Sequence, residues 1–445
     1  MQINMLMKKI SLKNILAISI LCFLPTISKA ENIVRDSETE AAIYEAVLPI
    51  LKAADLKDLK IILIDNPEVN AFTLGAEEIF VNTGLIVRFP DPDVFKGVIA
   101  HELGHLLGHH VSRRFSDLEN TRKKALLGLA LGVAGTIATQ DPEVFTLGAV
   151  GSRELAEKSF LKYSRAYESS ADQAAYKLLE KSGNSAIGMK FLFEHFIKES
   201  RGAYIDKYSL THPVSSERLN TTIEYLNNSK YKSSTTSELL KHKFERVSYK
   251  LAAFTSPNPA LFLQGLASIK DTNIRKYAEA ICLMRLSKFQ EAIASVDYLL
   301  SKFPDDTYFN ELKGEILLAY GKKESLEFFE KALSLAPRDN LMRMNVAIAA
   351  LNVYRYDRKE NLQKYLQYIH SVRIEEPEIL GPYYYLAEYY GILGEDYLSK
   401  LYLAIYYDKL DMKEAKKFAK WAIKGLKPDS AQYYWAKDII DRDAN

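Results

Sequence analysis

Apolar residues recur along most of this chain at the three- and four-residue spacing of an α-helix, and only short stretches read as strands. Ile43, Val47 and Leu51 follow a capping signal from Ser37 to Glu40, which predicts a first helix. Leu59 to Ile64 and Ile79 to Val81 read as two strands, separated by Asn70-Ala71-Phe72-Thr73-Leu74-Gly75. A further helix follows them. Asp91 is its N-cap, Pro92 its first helical position, and Val94, Phe95, Val98, Ile99, Leu103 and Leu106 its apolar positions, with an end expected near Arg113 and Arg114. Helical patterning returns over 154–179 and 187–198, whereas 227–237 is poor in apolar residues and rich in Ser and Thr. A domain boundary is therefore expected there, dividing 31–235 from 236–445.

The C-terminal part reads as paired helices with a recurring period. A unit from Ala292 to Pro304 is followed by one with Leu312, Gly314, Phe329, Ala332 and Pro337, and the two prolines stand 33 residues apart. That spacing is close to the 34-residue tetratricopeptide period. A looser unit ends at Pro377, another includes Tyr385, Leu386, Ala387 and Gly391, and a last one holds Ala415, Phe418, Ala422 and Pro428. Small residues at fixed offsets let neighbouring helices approach closely, so a stacked superhelix is expected. Tyr383, Tyr384, Tyr385, Tyr389, Tyr390, Tyr406 and Tyr407 are assigned mostly to packing, with some available to line a concave peptide-binding surface. The fold class that follows is mainly α with a small β-sheet.

Composition changes the picture at the N-terminus. Lys8, Lys9 and Lys13, an apolar run from Ile15 to Leu24, and a small-residue site at Ser28 and Ala30 have the three-part form of a secretory signal over 1–30. The net charge of +2 includes four lysines of that signal and no acids, so the remainder comes to 2 − 4 = −2. No basic character recommends nucleic acid. Cys22 lies in the signal, which leaves Cys282 alone in an apolar helix, a small hydrophobe in an exported protein without disulfides. The run Ala125 to Thr139 is too short to span a membrane. It reads as a buried helix or an apolar lid over a cleft, with peripheral membrane contact as the third option.

The candidate chemistry is His101-Glu102-Leu103-Gly104-His105. On a helix, residues i and i+4 share a face, so both imidazoles can hold one zinc while Glu102 reaches a water on it as general base. A catalytic zinc needs a third protein ligand. A histidine three residues after Gly108 would serve, but that position is Val111, and His110 is displaced by one. His109 and His110 are therefore expected to stand behind the ligands or at the surface. The alternative is a carboxylate on a second helix. Glu168 and Asp172 are i and i+4 within Ser164 to Asp172, so Glu168 can bind the metal while Asp172 accepts the free ring N–H of a ligating histidine.

The ordered set Asn70-Ala71-Phe72, Gly84-Leu85, His101-Glu102-x-x-His105, Glu168-x-x-x-Asp172 and Thr211-His212-Pro213 followed by Arg218 resembles metallopeptidase family 48. The family includes prenyl endopeptidases, Oma-type proteases and HtpX-type membrane proteases. The signal and the repeat array resemble those of its periplasmic branch. One departure is Leu74-Gly75-Ala76-Glu77-Glu78, where relatives often carry a Pro-Gly-Gly-type turn. The resemblance implies a zincin-type metalloprotease domain followed by a tetratricopeptide solenoid, one Zn²⁺ per chain, and misassembled outer-membrane proteins as substrates. It implies the outer-membrane β-barrel assembly machinery as partner, and a periplasmic location associated with the outer membrane. It also implies that His212 is a switch that occupies the fourth zinc position at rest, and that Arg218 orders the cleft or neutralises the oxyanion. The competing expectation is a chaperone-like adaptor with a latent or structural zinc.

Overall fold

A computed structural model describes residues 33–74, 78–110, 165–199, 212–356 and 359–442. The proposed signal, the apolar segment 125–139, Arg113, Arg114, Thr211 and most of the departing turn after Leu74 lie outside them. The chain forms two compact units, Glu31–Ala252 and Ala253–Asn445. No helix among the described residues is long and apolar enough to cross a membrane.

In the first unit, α1 (Ser37–Ala53) is capped by Asp36, one residue earlier than the sequence signal suggests. Asp36 accepts the Thr39 N–H at 2.7 Å, and Glu40 returns to the Asp36 N–H at 3.2 Å, so the reciprocal cap survives with its frame shifted. Four strands follow in the order β1-β2-β4-β3. They are β1 (Ile33–Val34), β2 (Lys60–Ile64), β3 (Ala71–Thr73) and β4 (Glu78–Asn82). β2 runs parallel to β4, while β1 and β3 are antiparallel partners at the two edges. The two strands read from the sequence are thus β2 and β4, and the stretch between them supplies β3.

Next come α2 (Thr83–Arg88) and α3 (Pro92–Leu107). Asp91 caps α3 and accepts the Asp93 N–H at 2.8 Å, with Pro92 at the first position, as the sequence predicts. Every residue from Pro92 to His105 is buried, so this helix has no solvent face over that length. It ends at Gly108, earlier than expected from the basic residues beyond it. A helix over 165–181, α4, and α5 (Ile187–Glu199) pack with it, followed by α6 (Ser216–Asn228) and α7 (Glu238–Thr255).

The boundary between units falls later than the polar 227–237 stretch. Leu240, Phe244, Val247 and Leu251 of α7 join the core built by α1, α3 and α5, burying apolar surface that the first unit would otherwise expose. The polar stretch itself is tied down by Thr236, which bonds the buried Lys96 at 2.6 Å and also reaches Asp93 in the first turn of α3.

The second unit is a succession of helices joined by short turns, each packing on the next: Thr272–Arg285 with Phe289–Lys302, Thr307–Ala319 with Ser325–Leu335, then Asn340–Tyr354, Leu366–Glu375, Gly381–Leu393 and Asp396–Lys409, and finally Glu414–Ala422 with Ala431–Asp441. Phe329 and Ala332 are buried at the positions the repeat assigns to close packing. Tyr383, Tyr389 and Tyr402 are core residues, and the Tyr389 hydroxyl donates to the Ala347 carbonyl at 2.7 Å, whereas Tyr384 is 41 % exposed. Cys282 is fully buried, and burial pushes its thiol up to about 11, which makes it a packing residue.

Candidate metal centre

Three chain segments converge on one point. The last two turns of α3 carry His101 and His105, the first turns of α4 carry Glu168, and the segment entering α6 carries His212. All four residues are buried, and one donor atom from each lies within 4.8 Å of the rest. α3 and α4 meet this closely because Gly104 faces Ala171, where a Cβ would stand 2.5 Å from the Ala171 carbonyl oxygen.

The separations are those a metal demands. A tetrahedral ion with bonds of about 2.0–2.1 Å needs donors about 3.3 Å apart. His101 Nε2 lies 3.0 Å from His105 Nε2, and both histidines stand 3.3 Å from Glu168 carboxylate oxygens. His212 Nδ1 is 3.3 Å from His101 Nε2 and 3.3 Å from the same carboxylate. Asp172 Oδ1 sits 2.9 Å from His101 Nδ1, so that nitrogen carries the proton and the Nε2 lone pair faces the other donors. Lone pairs brought this close repel one another unless a cation lies between them.

The electrostatics agree. Burial opposes charge on His101, yet the Asp172 and Glu168 carboxylates overcome it and push the imidazole up to about 10, so that without an ion a proton on Nε2 supplies the positive charge in its place. Burial holds His105 down at about 3, and the neighbouring His101 adds to this. Burial opposes ionisation of Glu168, but the imidazoles of His101, His105 and His212 around it carry it well below the usual carboxylate range. The pocket holds anionic donors around a place that calls for positive charge, which suits a divalent metal.

Glu102 is 1 % exposed, and its Oε1 has no hydrogen-bond partner among the described residues. His212 Nε2 stands 3.5 Å from it. Burial raises the Glu102 carboxyl above its ordinary value. A buried, unsatisfied carboxylate oxygen beside a donor cluster is an acceptor in need of a proton-bearing group.

Arg218 is held by several protein acceptors. Its Nε and Nη2 donate to Asp172 at 2.7 and 2.8 Å, its Nη1 lies 3.0 Å from Glu168 and donates to the Pro213 carbonyl at 2.9 Å, and Phe193 packs under it at 4.6 Å. The guanidinium is thus engaged by the donor Glu168 and by Asp172 behind His101. His109, exposed and with a positive φ of 50°, turns the buried His110 back towards His105, so neither is an added ligand: one stands at the surface and the other behind a donor.

Two contacts are not assigned from the sequence, although Ala71 lies in the Asn70-Ala71-Phe72 motif. Phe193 is one apolar residue among many in α5. The other is the Ala71 carbonyl of β3, which lies 3.3 Å from His212 Nε2. The Asn82 N–H donates to the Asn70 carbonyl, so by the alternation of an antiparallel pair Ala71 directs its main-chain groups away from β4, towards the donor cluster.

Residues 37–225 match the model of peptidase family M48. The chain is 22 % identical over 293 residues to the Beta-barrel assembly-enhancing protease of Yersinia pestis, covering 64 % of this chain and 60 % of that protein. It is 23 % identical over 296 residues to the protein of the same name from Escherichia coli (strain K12), covering 65 % and 60 %. Metalloprotease YcaL of Escherichia coli (strain K12) is 29 % identical over 152 residues, 34 % of this chain and 56 % of that protein. The match thus spans 60 % of the length of the first two relatives.

Proposed function

We propose that this chain, whose residues 37–225 match the model of peptidase family M48, is an exported zinc metalloendopeptidase of that family in which His101, His105 and Glu168 hold the metal and His212 is a removable fourth ligand. The observation that carries the reading is the set of four donors at tetrahedral spacing, with the unsatisfied oxygen of Glu102 beside it. A structural site has no use for that carboxylate. Zinc, when bound, supplies a Lewis acid for the scissile carbonyl and lowers the pKa of water towards about 7.

Glu102 takes the proton of the attacking water as general base and passes it to the leaving amine, a role suited to a carboxyl whose pKa is raised by burial. Asp172 accepts the Nδ1–H of His101 and fixes its ring. Arg218 is a positioning residue, the cleft-ordering alternative and not the oxyanion one, because its donors are engaged by Asp172, Glu168 and Pro213. An extended substrate pairs along β3, where a main-chain N–H of the substrate replaces His212 at the Ala71 carbonyl. Substrate binding and release of the fourth position are then one event, and the chain rests in a closed form.

The names of the relatives, which speak of β-barrel assembly, support β-barrel proteins as clients, taken here to be misassembled outer-membrane ones, and the secretory form of 1–30 supports the periplasm as the location. The 33-residue spacing of Pro304 and Pro337 supports a tetratricopeptide array that docks clients or the assembly machinery. The test is Glu102→Gln, assayed on an unfolded outer-membrane β-barrel protein. The variant should retain one zinc per chain and lose roughly 10²–10⁴ in cleavage rate. Near-normal cleavage would remove Glu102 from the chemistry, and a wild-type chain without zinc would remove the reading.

A further inference from the structure

We propose that His110 is a positioning residue for the metal centre, accepting the Nδ1–H of His105 on its own Nδ1 and so committing His105 Nε2 to the ion. The inference rests on the zinc reading above. His110 Nδ1 stands 3.0 Å from His105 Nδ1, and both rings are buried, at 4 % and 8 % exposure. A neutral imidazole offers one N–H and one lone pair, so the nitrogen that receives this bond determines which nitrogen of His105 is left to ligate.

Three features of the local chain serve this contact. α3 stops at Gly108, and His109 then adopts the left-handed conformation, with φ of 50°, which turns His110 under the last helical turn. A residue other than glycine is strained there and persists where the surroundings hold it in place. Gly108 clears the space, since a Cβ at that position would stand 2.2 Å from His110 Nε2. Tyr167 closes the other side, its ring stacked on His110 at 4.9 Å and 26°, and it directly precedes the carboxylate donor Glu168. His110 therefore links the back of one donor to the segment that carries another.

The two helix-borne histidines are backed differently. His101 leans on the Asp172 carboxylate, whereas His105 leans on a neutral imidazole. Glu102, Glu168 and Asp172 already bring three carboxylates into this small volume, and a fourth behind His105 would add repulsion. An imidazole fixes tautomer and orientation without adding charge.

The experiment measures zinc dissociation constants by chelator competition on the full chain and on two variants. His110→Phe keeps a ring for Tyr167 and removes the acceptor. His110→Asn places an oxygen near the position of Nδ1 and removes the ring. The proposal expects His110→Phe to bind zinc roughly 10–100-fold more weakly and His110→Asn to stay within about threefold of the wild type. It is overturned if the phenylalanine variant binds as the wild type does, or if the asparagine variant falls as far as the phenylalanine variant. Metal content of the wild-type chain is read first: its absence would strike the zinc reading itself, whereas a wild type with one zinc and two unaffected variants would strike only the role of His110.

Discussion

Gly104 sits between the two histidines of α3, and replacing it with alanine sets two effects of opposite sign against each other. Alanine favours a helix interior over glycine by about 1 kcal/mol, so a local argument predicts a more stable protein. The tertiary geometry predicts the reverse. A Cβ at Gly104 would stand 2.5 Å from the Ala171 oxygen and 2.8 Å from its Cα. Ordinary contacts begin near about 3.5 Å, so α3 and α4 must separate by about 1 Å. Both carry donors, and the 3.3 Å between the histidines and Glu168 would grow by a similar amount. Metal sites tolerate departures of about 0.2 Å. The expected outcome of Gly104→Ala is a loss of about 1–3 kcal/mol from overpacking and roughly 10²-fold slower peptide hydrolysis, with weakened zinc binding. Urea unfolding of the metal-free chain, zinc competition and a peptidase assay measure the three. A variant at least as stable as the wild type that also binds zinc within about threefold would refute the argument that this crossing sets the donor spacing.

Two other perturbations address the groups behind the donors and the start of the fold. Asp172→Ala removes two hydrogen bonds of the buried Arg218 guanidinium, which keeps Glu168 and the Pro213 carbonyl, and leaves the His101 N–H without its acceptor, so unfolding measurements should show a loss of about 1–3 kcal/mol and zinc competition a roughly 10–100-fold weaker site. Asp36 is held below its ordinary value because Lys250 outweighs the opposing effect of burial, so its charge stabilises the fold above pH 3.8 and this contribution is lost as the pH falls through the lower folded-state value. Asparagine preserves the helix cap, and the destabilisation by Asp36→Asn, roughly 1.5–3 kcal/mol at pH 7, should shrink towards zero in urea titrations at progressively lower pH.

How much the sequence reveals depends on how local each feature is. The start of α3 is legible because Asp91 and Pro92 act on neighbouring backbone groups, and the pairing of His101 with His105, and of Glu168 with Asp172, follows from helical periodicity alone. The small sheet is half legible: β2 and β4 are apolar runs, but β3 has three residues, too few for an alternation to register. Its role comes from where it lies, beside His212. Composition correctly marks 227–237 as polar but does not tell a tethered loop from a linker, since Thr236 finds Lys96 only in three dimensions and α7 returns to the first core. The contact of His110 eludes helical extrapolation, because the helix ends at Gly108 and the reversal falls on a histidine. Arg218 is legible as a site residue by resemblance, while its partners are visible only once α4 and α6 are placed.

The buried circumference of α3 has a consequence for how the ion comes and goes. Donors carried by α3 and α4 are anchored in packed helices and cannot swing outward without opening the core, whereas His212 rides on a segment at the start of α6. On the proposed reading, and among the described residues, metal exchange with bulk solvent is therefore easiest on the side of His212. The rate at which a chelator strips the protein would then report the same opening that admits a polypeptide, and a ligand that wedges that side open would speed both.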